Sequence, residues 1–242
     1  MRRRTVAALA AACALTLSAC SMLPEGPGAL PTDFVPSPSI SPGDGPGALS
    51  PDGFTAAQRM TVRVRNVGCG FLSTGTGFAL DAHTLITNRH VTSNSKELQV
   101  QTYDGRSISA TTVSTTTVAD IAIVTTEETL GATFAEPAEA DPVESDVITV
   151  VGYPNGGRLS TVSGVVLGPT VDLLGAALGT VLATTASVEP GSSGSPVLNE
   201  DGQVVGVVYA KSDSNQSFIV PVSTLNTLLD ETALLVPESA GC

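Results

Sequence analysis

Positive charge is scarce in this sequence, and so are histidine and cysteine. The 242 residues include 11 Lys+Arg against 23 Asp+Glu, which gives a formal net charge of −12. With so few cations the sequence offers no basic patch, so we do not expect nucleic acid as a partner. The two histidines and four cysteines do not cluster at the spacing of metal ligands. We therefore expect no metal site and no cofactor.

A long apolar run is also missing, which bears on the N-terminal segment. The chain begins "MRRRTVAALAAACALTLSAC", where three arginines precede 13 uncharged residues, 5–17. This layout is typical of a secretory leader, and the run is too short to cross ~30 Å of hydrocarbon as a stable helix. "LSAC" at residues 17–20 resembles the lipobox of bacterial lipoproteins, in which the cysteine is lipidated. We predict a leader over residues 1–19 and lipidation of Cys20; the alternative is an N-terminal membrane helix.

The next stretch, residues 20–56, is rich in Pro, Gly and Ser and has few large apolar residues. Such a composition buries too little surface to offset the entropy of ordering, so it predicts a flexible tether behind the lipid. Together, leader, lipid and tether predict an exported protein that is anchored to the cell membrane and faces the extracytoplasmic side.

Cysteine counting then predicts a disulfide. Cys13 leaves with the leader and Cys20 carries the lipid, so Cys69 and Cys242 remain as an even pair. In an exported protein such a pair is expected to be oxidised. The alternative is two free thiols.

The sequence pattern of residues 57–242 predicts a folded domain made of strands. Short apolar segments with alternation and β-branched residues recur between Gly, Asp and Asn turns. In "LNEDGQVV", Asp201-Gly202 between two apolar runs predicts a hairpin. The clearest helix is "STLNTLLDE", with Ser223 as its predicted N-cap. The acidic stretch 135–146 divides the strands into two sets, about 57–135 and 143–235. We predict an all-β fold of two packed barrels, or a two-layer sandwich, with a short C-terminal helix.

Three segments carry candidate catalytic residues. His90 follows an apolar strand in "TLITNRHVT", whereas His83 lies in the turn-like "LDAHTL", so His90 is the better general base. Asp120 in "VADIAIVTT" is a carboxylate beside an apolar strand, a costly position unless it has a partner. "EPGSSGSPV", residues 189–197, places three serines among two glycines, where backbone N–H groups can hold an oxyanion.

In chain order, "TNRHV", "ADIAIV" and "GSSGSP" resemble the His, Asp and Ser signatures of the chymotrypsin-like (trypsin-fold) serine proteases. The flanking "GTGF", "SGVV" and "GQVVGVVYA" resemble bacterial members, including the periplasmic heat-shock type. This resemblance covers about residues 57–242. It implies two antiparallel six-stranded barrels with the site between them, and a peptide or protein substrate.

The resemblance also implies a role for each site residue. His90 would be the general base and then the general acid, Asp120 would orient it, and Ser193 would be the nucleophile. The backbone N–H groups of Gly191 and Ser193 would form the oxyanion hole. The strand at 207–210, with Val208, Tyr209 and Ala210, would pair with an extended substrate. Ser187 would lie near the base of the primary specificity pocket.

Three residues depart from the family pattern. Arg89 replaces the small residue that many relatives carry before the histidine, which alters access or charge at His90. Ser192 replaces the aspartate that pairs with a new N-terminus in zymogen-type members, so we do not expect that activation switch here. Ser195 replaces a glycine, a change found in some bacterial members.

The sequence therefore predicts a serine endopeptidase that works through an acyl-enzyme. The alternatives are a catalytically inactive protease fold that serves as a binding or scaffold domain, and a plain structural lipoprotein. The sequence does not indicate an oligomeric state, and a monomer is the default expectation.

Overall fold

The computed structural model describes residues 49–172 and 179–238. The predicted leader, Cys20, most of the predicted tether and Cys242 lie outside these ranges, so the predictions made for them stay predictions. Within these ranges, no helix is long and apolar enough to cross a membrane.

The first barrel contains six strands: β1 (Thr61–Gly68), β2 (Leu72–Ala79), β3 (Thr84–Thr87), β4 (Ser95–Gln101), β5 (Ser107–Thr115) and β6 (Ala122–Thr126). They are hydrogen-bonded in the order β5-β4-β1-β2-β3-β6, and an additional pairing of β5 with β6 closes the ring. The short helix α1 (Ala56–Met60) precedes β1. A capping box between Thr55 and Gln58 starts this helix by satisfying its first N–H groups.

The second barrel contains β7 (Val147–Gly152), β8 (Ser160–Val171), β9 (Thr180–Thr184), β10 (Pro196–Leu198), β11 (Val204–Lys211) and β12 (Ser217–Pro221). Its closed order is β10-β11-β12-β9-β8-β7. The hairpin predicted around Asp201-Gly202 joins β10 to β11, and Gly202 has a φ of 81° that suits glycine. The prediction of two antiparallel six-stranded barrels is confirmed, and the sandwich alternative is wrong.

The apolar residues form three cores. One fills the first barrel around Val64, Leu85 and Val100, and another fills the second barrel around Val150 and Ile219. The third joins the barrels and takes residues from both, among them Phe78, Ile86, Val151, Tyr209 and Leu225. Because strand side chains alternate between two faces, one strand can serve a barrel interior and the joint between the barrels.

After β12 the chain forms helix α3 (Val222–Asp230), the predicted C-terminal helix, then a 3-10 turn (Thr232–Leu234) and strand β13 (Val236–Pro237), which pairs with β5. The predicted N-cap is wrong, because Pro221 occupies that position without a side-chain bond. Instead, Asp141 accepts from the Ser223 backbone N–H (2.8 Å) and from its hydroxyl (2.7 Å). A carboxylate from the linker between the barrels thus accepts an otherwise unpaired N–H group of the first turn, and its negative charge interacts favourably with the helix dipole.

Candidate active site

His90 lies in the four-residue helix α2 (Arg89–Thr92), directly after β3. Buried Asn66 of β1 holds this helix by donating to the carbonyl oxygens of Val91 and Ser93, each at 3.0 Å. Buried Asn88, just before the helix, donates to the Asp120 carbonyl oxygen at 2.6 Å. The helix is therefore fixed to the segment that carries the candidate carboxylate.

His90 and Asp120 make two contacts. One carboxylate oxygen of Asp120 accepts the His90 backbone N–H at 3.0 Å, and the other bonds to Nδ1 of the ring. The Asp120 side chain is only 5% exposed, whereas that of His90 is 46% exposed. These bonds offset the cost of burying the carboxylate, and they leave Nε2 of the histidine free to accept a proton.

The loop 189–195 carries the three serines, and its hydrogen bonds distinguish its N–H groups. Those of Ser192, Gly194 and Ser195 donate to backbone carbonyls within the protein, at 2.9, 2.8 and 3.0 Å. The N–H groups of Gly191 and Ser193 donate to no acceptor in the part of the chain that the structure describes. These two are the predicted oxyanion donors, and they remain available to a ligand.

The serines differ in burial. Ser193 is partly exposed, whereas Ser192 is 5% and Ser195 0% exposed. The Ser192 hydroxyl accepts from the Glu189 N–H at 3.4 Å, where a zymogen-type enzyme would carry a carboxylate. Of the three side chains, that of Ser193 is the one within reach of a substrate.

Strand β2 of the first barrel links the loop 189–195 to the segment that carries His90. The Thr76 N–H donates to the Ser193 carbonyl at 2.8 Å. A methyl group added at Gly75 would lie 2.6 Å from the Val91 side chain and 3.2 Å from the Ser193 carbonyl. Val91, the residue after His90, and the Ser193 carbonyl therefore both lie against Gly75, so the two segments that carry the candidate residues meet at this glycine.

The bend of the loop depends on Gly191, whose φ is +93°. Its carbonyl accepts the Thr76 hydroxyl at 2.8 Å, and the preceding Pro190 carbonyl accepts the Asn155 N–H at 2.5 Å. A side chain at Gly191 would collide with the Tyr153 carbonyl. Glycine is thus required both by conformation and by close approach.

The edge of β11 differs from the prediction at one residue. The Val208 N–H donates to the Ser195 carbonyl (3.0 Å) and its carbonyl accepts the Gly194 N–H (2.8 Å). Both backbone groups of Val208 are therefore bonded to the loop 189–195, which leaves neither of them to pair with a substrate strand. Tyr209 has a buried side chain whose hydroxyl donates to Asp172 at 3.0 Å. Ala210, the third predicted residue, pairs with Phe218 of β12.

Beyond the loop, two side-chain bridges connect residues 187–189 to the end of β11 and its turn. Lys211 pairs with Glu189 at 2.8 Å. The Asn215 amide donates to the Ser187 hydroxyl at 2.8 Å. Ser187, which is predicted to lie near the base of the primary specificity pocket, is exposed and takes part in this hydrogen bond with Asn215.

Arg89 does not extend freely beside the histidine. Its guanidinium donates to the Thr116 carbonyl at 3.0 Å, in the loop that leads to Asp120. His83 is a turn residue, as its sequence context indicates, and its backbone N–H donates to the Asp81 carboxylate at 2.7 Å. In residues 49–172 and 179–238, no group of His, Cys, Asp and Glu could hold a metal ion.

Sequence reasoning missed four residues that position this site: Asn66, Thr76, Asn88 and Asn155. Three of them are polar and fully buried, and Asn155 has a positive φ of 55°. A polar residue between two glycines, as in "GTGF", was a possible signal for Thr76. The contacts of the other three join segments far apart in the chain and leave no local pattern.

Comparison with known proteins gives one consistent result. A family model described as Trypsin-like peptidase domain matches residues 75–207. One curated relative is the Serine protease Do-like HtrA of Bacillus subtilis, which is 30% identical over 161 residues; the match covers 61% of this chain and 35% of the relative. Another is Protease Do-like 2, chloroplastic, of Arabidopsis thaliana, which is 29% identical over 177 residues; the match covers 66% of this chain and 28% of the relative. The chain spans about a third of the length of these relatives.

Among solved structures, the Rv3671c protease from M. tuberculosis, active form, superposes with a TM-score of 0.67 at 25% identity, covering 77% of this chain and 86% of that one. The serine endoprotease from Yersinia pestis has the same fold, with a TM-score of 0.63 at 20% identity and 73% and 63% coverage. The family match covers more than half of the chain and includes His90, Asp120 and Ser193. The chain belongs to the trypsin-like peptidase family.

Proposed function

We propose that the chain is a serine endopeptidase of the bacterial cell envelope, with His90, Asp120 and Ser193 as its catalytic triad. One observation carries this proposal. His90 and Asp120 are joined by two hydrogen bonds, one to the backbone and one to the ring of the histidine. In the loop that carries Ser193, the N–H groups of Gly191 and Ser193 are the only ones, among those described for residues 191–195, that donate to no acceptor. A base with its orienting carboxylate and two oxyanion donors around one accessible serine are the components that acyl transfer needs.

The reaction follows from these positions. Ser193 Oγ attacks the scissile carbonyl carbon while its proton passes to His90 Nε2, and the carbonyl oxygen becomes an oxyanion held by the two N–H groups. The C–N bond then breaks, and His90 returns the proton to the leaving amine. Water, deprotonated by His90, attacks the ester and releases the acid and free Ser193. Asp120 holds the ring through Nδ1 and stabilises its protonated form.

The substrate is an extended peptide or protein segment. One edge of β11 pairs with β12 through Ala210↔Phe218 and Lys211↔Ser217, while its pairing with β10 ends at Val207. We infer that Ala210 and Lys211, beyond that point on the second edge, receive the substrate strand. A strand bound there leads towards Ser193, because Val208 is bonded to the nucleophile loop itself.

The proposed location rests on the N-terminal sequence: a leader over residues 1–19, lipid on Cys20 and a tether that holds the domain away from the membrane. A Cys69–Cys242 disulfide would suit this oxidising location. Metabolic labelling with a fatty acid should mark the full-length protein and spare C20S. Mass mapping without reduction should recover the two cysteine peptides linked, and recovery of both as alkylated thiols would remove the disulfide.

A fluorophosphonate probe tests the catalytic proposal, because it reacts only with an activated serine. The wild type should become labelled and S193A should not. S195A is the matched control, since it removes a fully buried hydroxyl two residues away and should leave labelling intact. Labelling that survives in S193A would show that the nucleophile is wrong. A folded wild type that takes no label and cuts no peptide would favour the inactive scaffold.

A further inference from the structure

Thr76 lies in β2 of the first barrel, yet most of its polar bonds reach the second. It is fully buried. Its N–H donates to the Ser193 carbonyl at 2.8 Å. Its hydroxyl donates to the Gly191 carbonyl at 2.8 Å and accepts the Tyr153 N–H at 3.0 Å. One threonine therefore contacts both ends of the oxyanion segment and a second loop beside it.

The direction of an oxyanion donor depends on the carbonyl in the same peptide unit. A trans peptide is planar, and its C=O and N–H point to opposite sides. The Pro190 carbonyl, bonded to the Asn155 N–H at 2.5 Å, therefore sets the direction of the Gly191 N–H. The Ser192 carbonyl, bonded to the Ser195 N–H at 3.0 Å, sets that of the Ser193 N–H.

The peptide unit between these two is Gly191–Ser192, and its carbonyl is held by the Thr76 hydroxyl. If this unit turns, the flanking units turn with it, because they share the dihedral angles of Gly191 and Ser192. Gly191 is the residue most free to allow such a turn, since glycine reaches positive and negative φ with similar ease. The Thr76 hydroxyl is thus the contact that opposes rotation at the most flexible point of the loop.

The same hydroxyl also supports the neighbouring anchor. Tyr153 immediately precedes the 3-10 turn Pro154–Gly156, which contains Asn155. By accepting the Tyr153 N–H, Thr76 fixes the start of the turn whose Asn155 N–H holds Pro190. Two of the three carbonyl anchors in the oxyanion loop therefore depend on one side chain from the other barrel.

We infer that Thr76 is a positioning residue for the oxyanion hole, acting through Gly191 and through the Tyr153–Asn155 turn. The inference rests on the proposed function, because it assigns to Thr76 a part in that same reaction. A residue in this role aligns the donors for the transition state and contributes little to binding of the ground-state substrate. Its loss should therefore lower kcat and leave KM nearly unchanged.

The test compares four proteins: wild type, T76V, T76S and the control T126V. Valine keeps the shape of threonine without the hydroxyl, and serine keeps the hydroxyl. Thr126 is a buried threonine of the same barrel whose hydroxyl bonds to the Glu128 carbonyl (2.8 Å), away from the nucleophile loop. Peptide hydrolysis gives kcat and KM, and a peptidyl aldehyde, which forms a tetrahedral adduct with the serine, reports on the oxyanion hole. Thermal unfolding monitors the fold.

We expect T76V to lose kcat about 10- to 100-fold, less than the 10²–10³-fold typical of a deleted oxyanion donor, because the donors are misaligned and not removed. Aldehyde affinity should fall by a similar factor, T76S should recover most of both losses, and T126V should match the wild type in kcat. A T76V enzyme within threefold of wild-type kcat would overturn the inference. So would a loss that T126V shares or that T76S does not restore. An inactive wild type would instead contradict the proposed function itself.

Discussion

The substitution G191A makes the oxyanion proposal quantitative. Gly191 has a φ of +93°, where a non-glycine residue costs about 1–3 kcal/mol. The added methyl group would lie 2.7 Å from the Tyr153 carbonyl oxygen and 2.9 Å from the N atoms of Asn155 and Gly156. All three neighbours are backbone atoms, so the loop has to move as a unit.

That movement should remove the Gly191 N–H from the oxyanion. Loss of one such donor lowers kcat by about 10²–10³-fold, or 2.7–4 kcal/mol of barrier. We therefore expect G191A to fall at least about 100-fold in kcat/KM. The strain should also lower the free energy of unfolding by about 1–3 kcal/mol, and each kcal/mol corresponds to about 2–4 °C of Tm in a domain of this size.

The matched control is G105A. Gly105 has a similar φ of +87°, but a methyl group there would meet no atom within 4 Å. It lies in the turn between β4 and β5, so it should carry the conformational strain alone and keep kcat/KM within about twofold of the wild type. Peptide hydrolysis and thermal unfolding of the three proteins separate strain from catalysis. If G191A kept more than a tenth of the wild-type kcat/KM while both variants lost similar stability, the oxyanion role of Gly191 would be wrong.

Three further predictions follow from single contacts. D120N should lower kcat by about 10³–10⁴-fold without unfolding the protein, because an amide favours the wrong histidine tautomer; near-wild-type peptidase activity would contradict the triad. K211A breaks the exposed pair with Glu189 and should change Tm by less than about 2 °C. Because Glu189 lines a cavity together with Ser187 and Ser192, K211A should also shift the preferred residue before the cut bond in a peptide library; an unchanged cleavage profile would show that this cavity does not set specificity. L225A, which truncates a fully buried residue of the core between the barrels, should cost about 2–5 kcal/mol in denaturant unfolding, and a loss below 1 kcal/mol would show that this core is loosely packed.

Much of the fold could be predicted from local patterns. Period-two alternation, β-branched residues and glycine turns are set by neighbouring residues, so they indicate strands and the hairpin at Asp201-Gly202 directly. The choice between barrels and a sandwich depends on whether β5 pairs with β6 and β10 pairs with β7, contacts that local patterns do not specify. The N-cap of α3 was wrong for the same reason, because Asp141 reaches Ser223 from 82 positions away.

The candidate site divides in a similar way. His90, Asp120 and Ser193 are chemically distinctive residues in recognisable segments, so the sequence alone marks them. The family resemblance places Val208 in a substrate-binding strand, whereas its N–H and C=O are both bonded to the loop 189–195. That bonding appears only when β11 is placed against the loop.

By itself, then, the sequence determined the strand content, the chemistry of the three catalytic candidates and the need for glycine at the bend of the loop. The tertiary structure decided how those residues are held: Asn66 and Asn88 fix the helix that carries His90, and Thr76 bonds to Gly191 of the loop 189–195 from the opposite barrel. The physical reason is that conformational preference and side-chain chemistry are local properties of the chain. A buried hydrogen bond between distant segments depends on both partners and on the packing that excludes water from them.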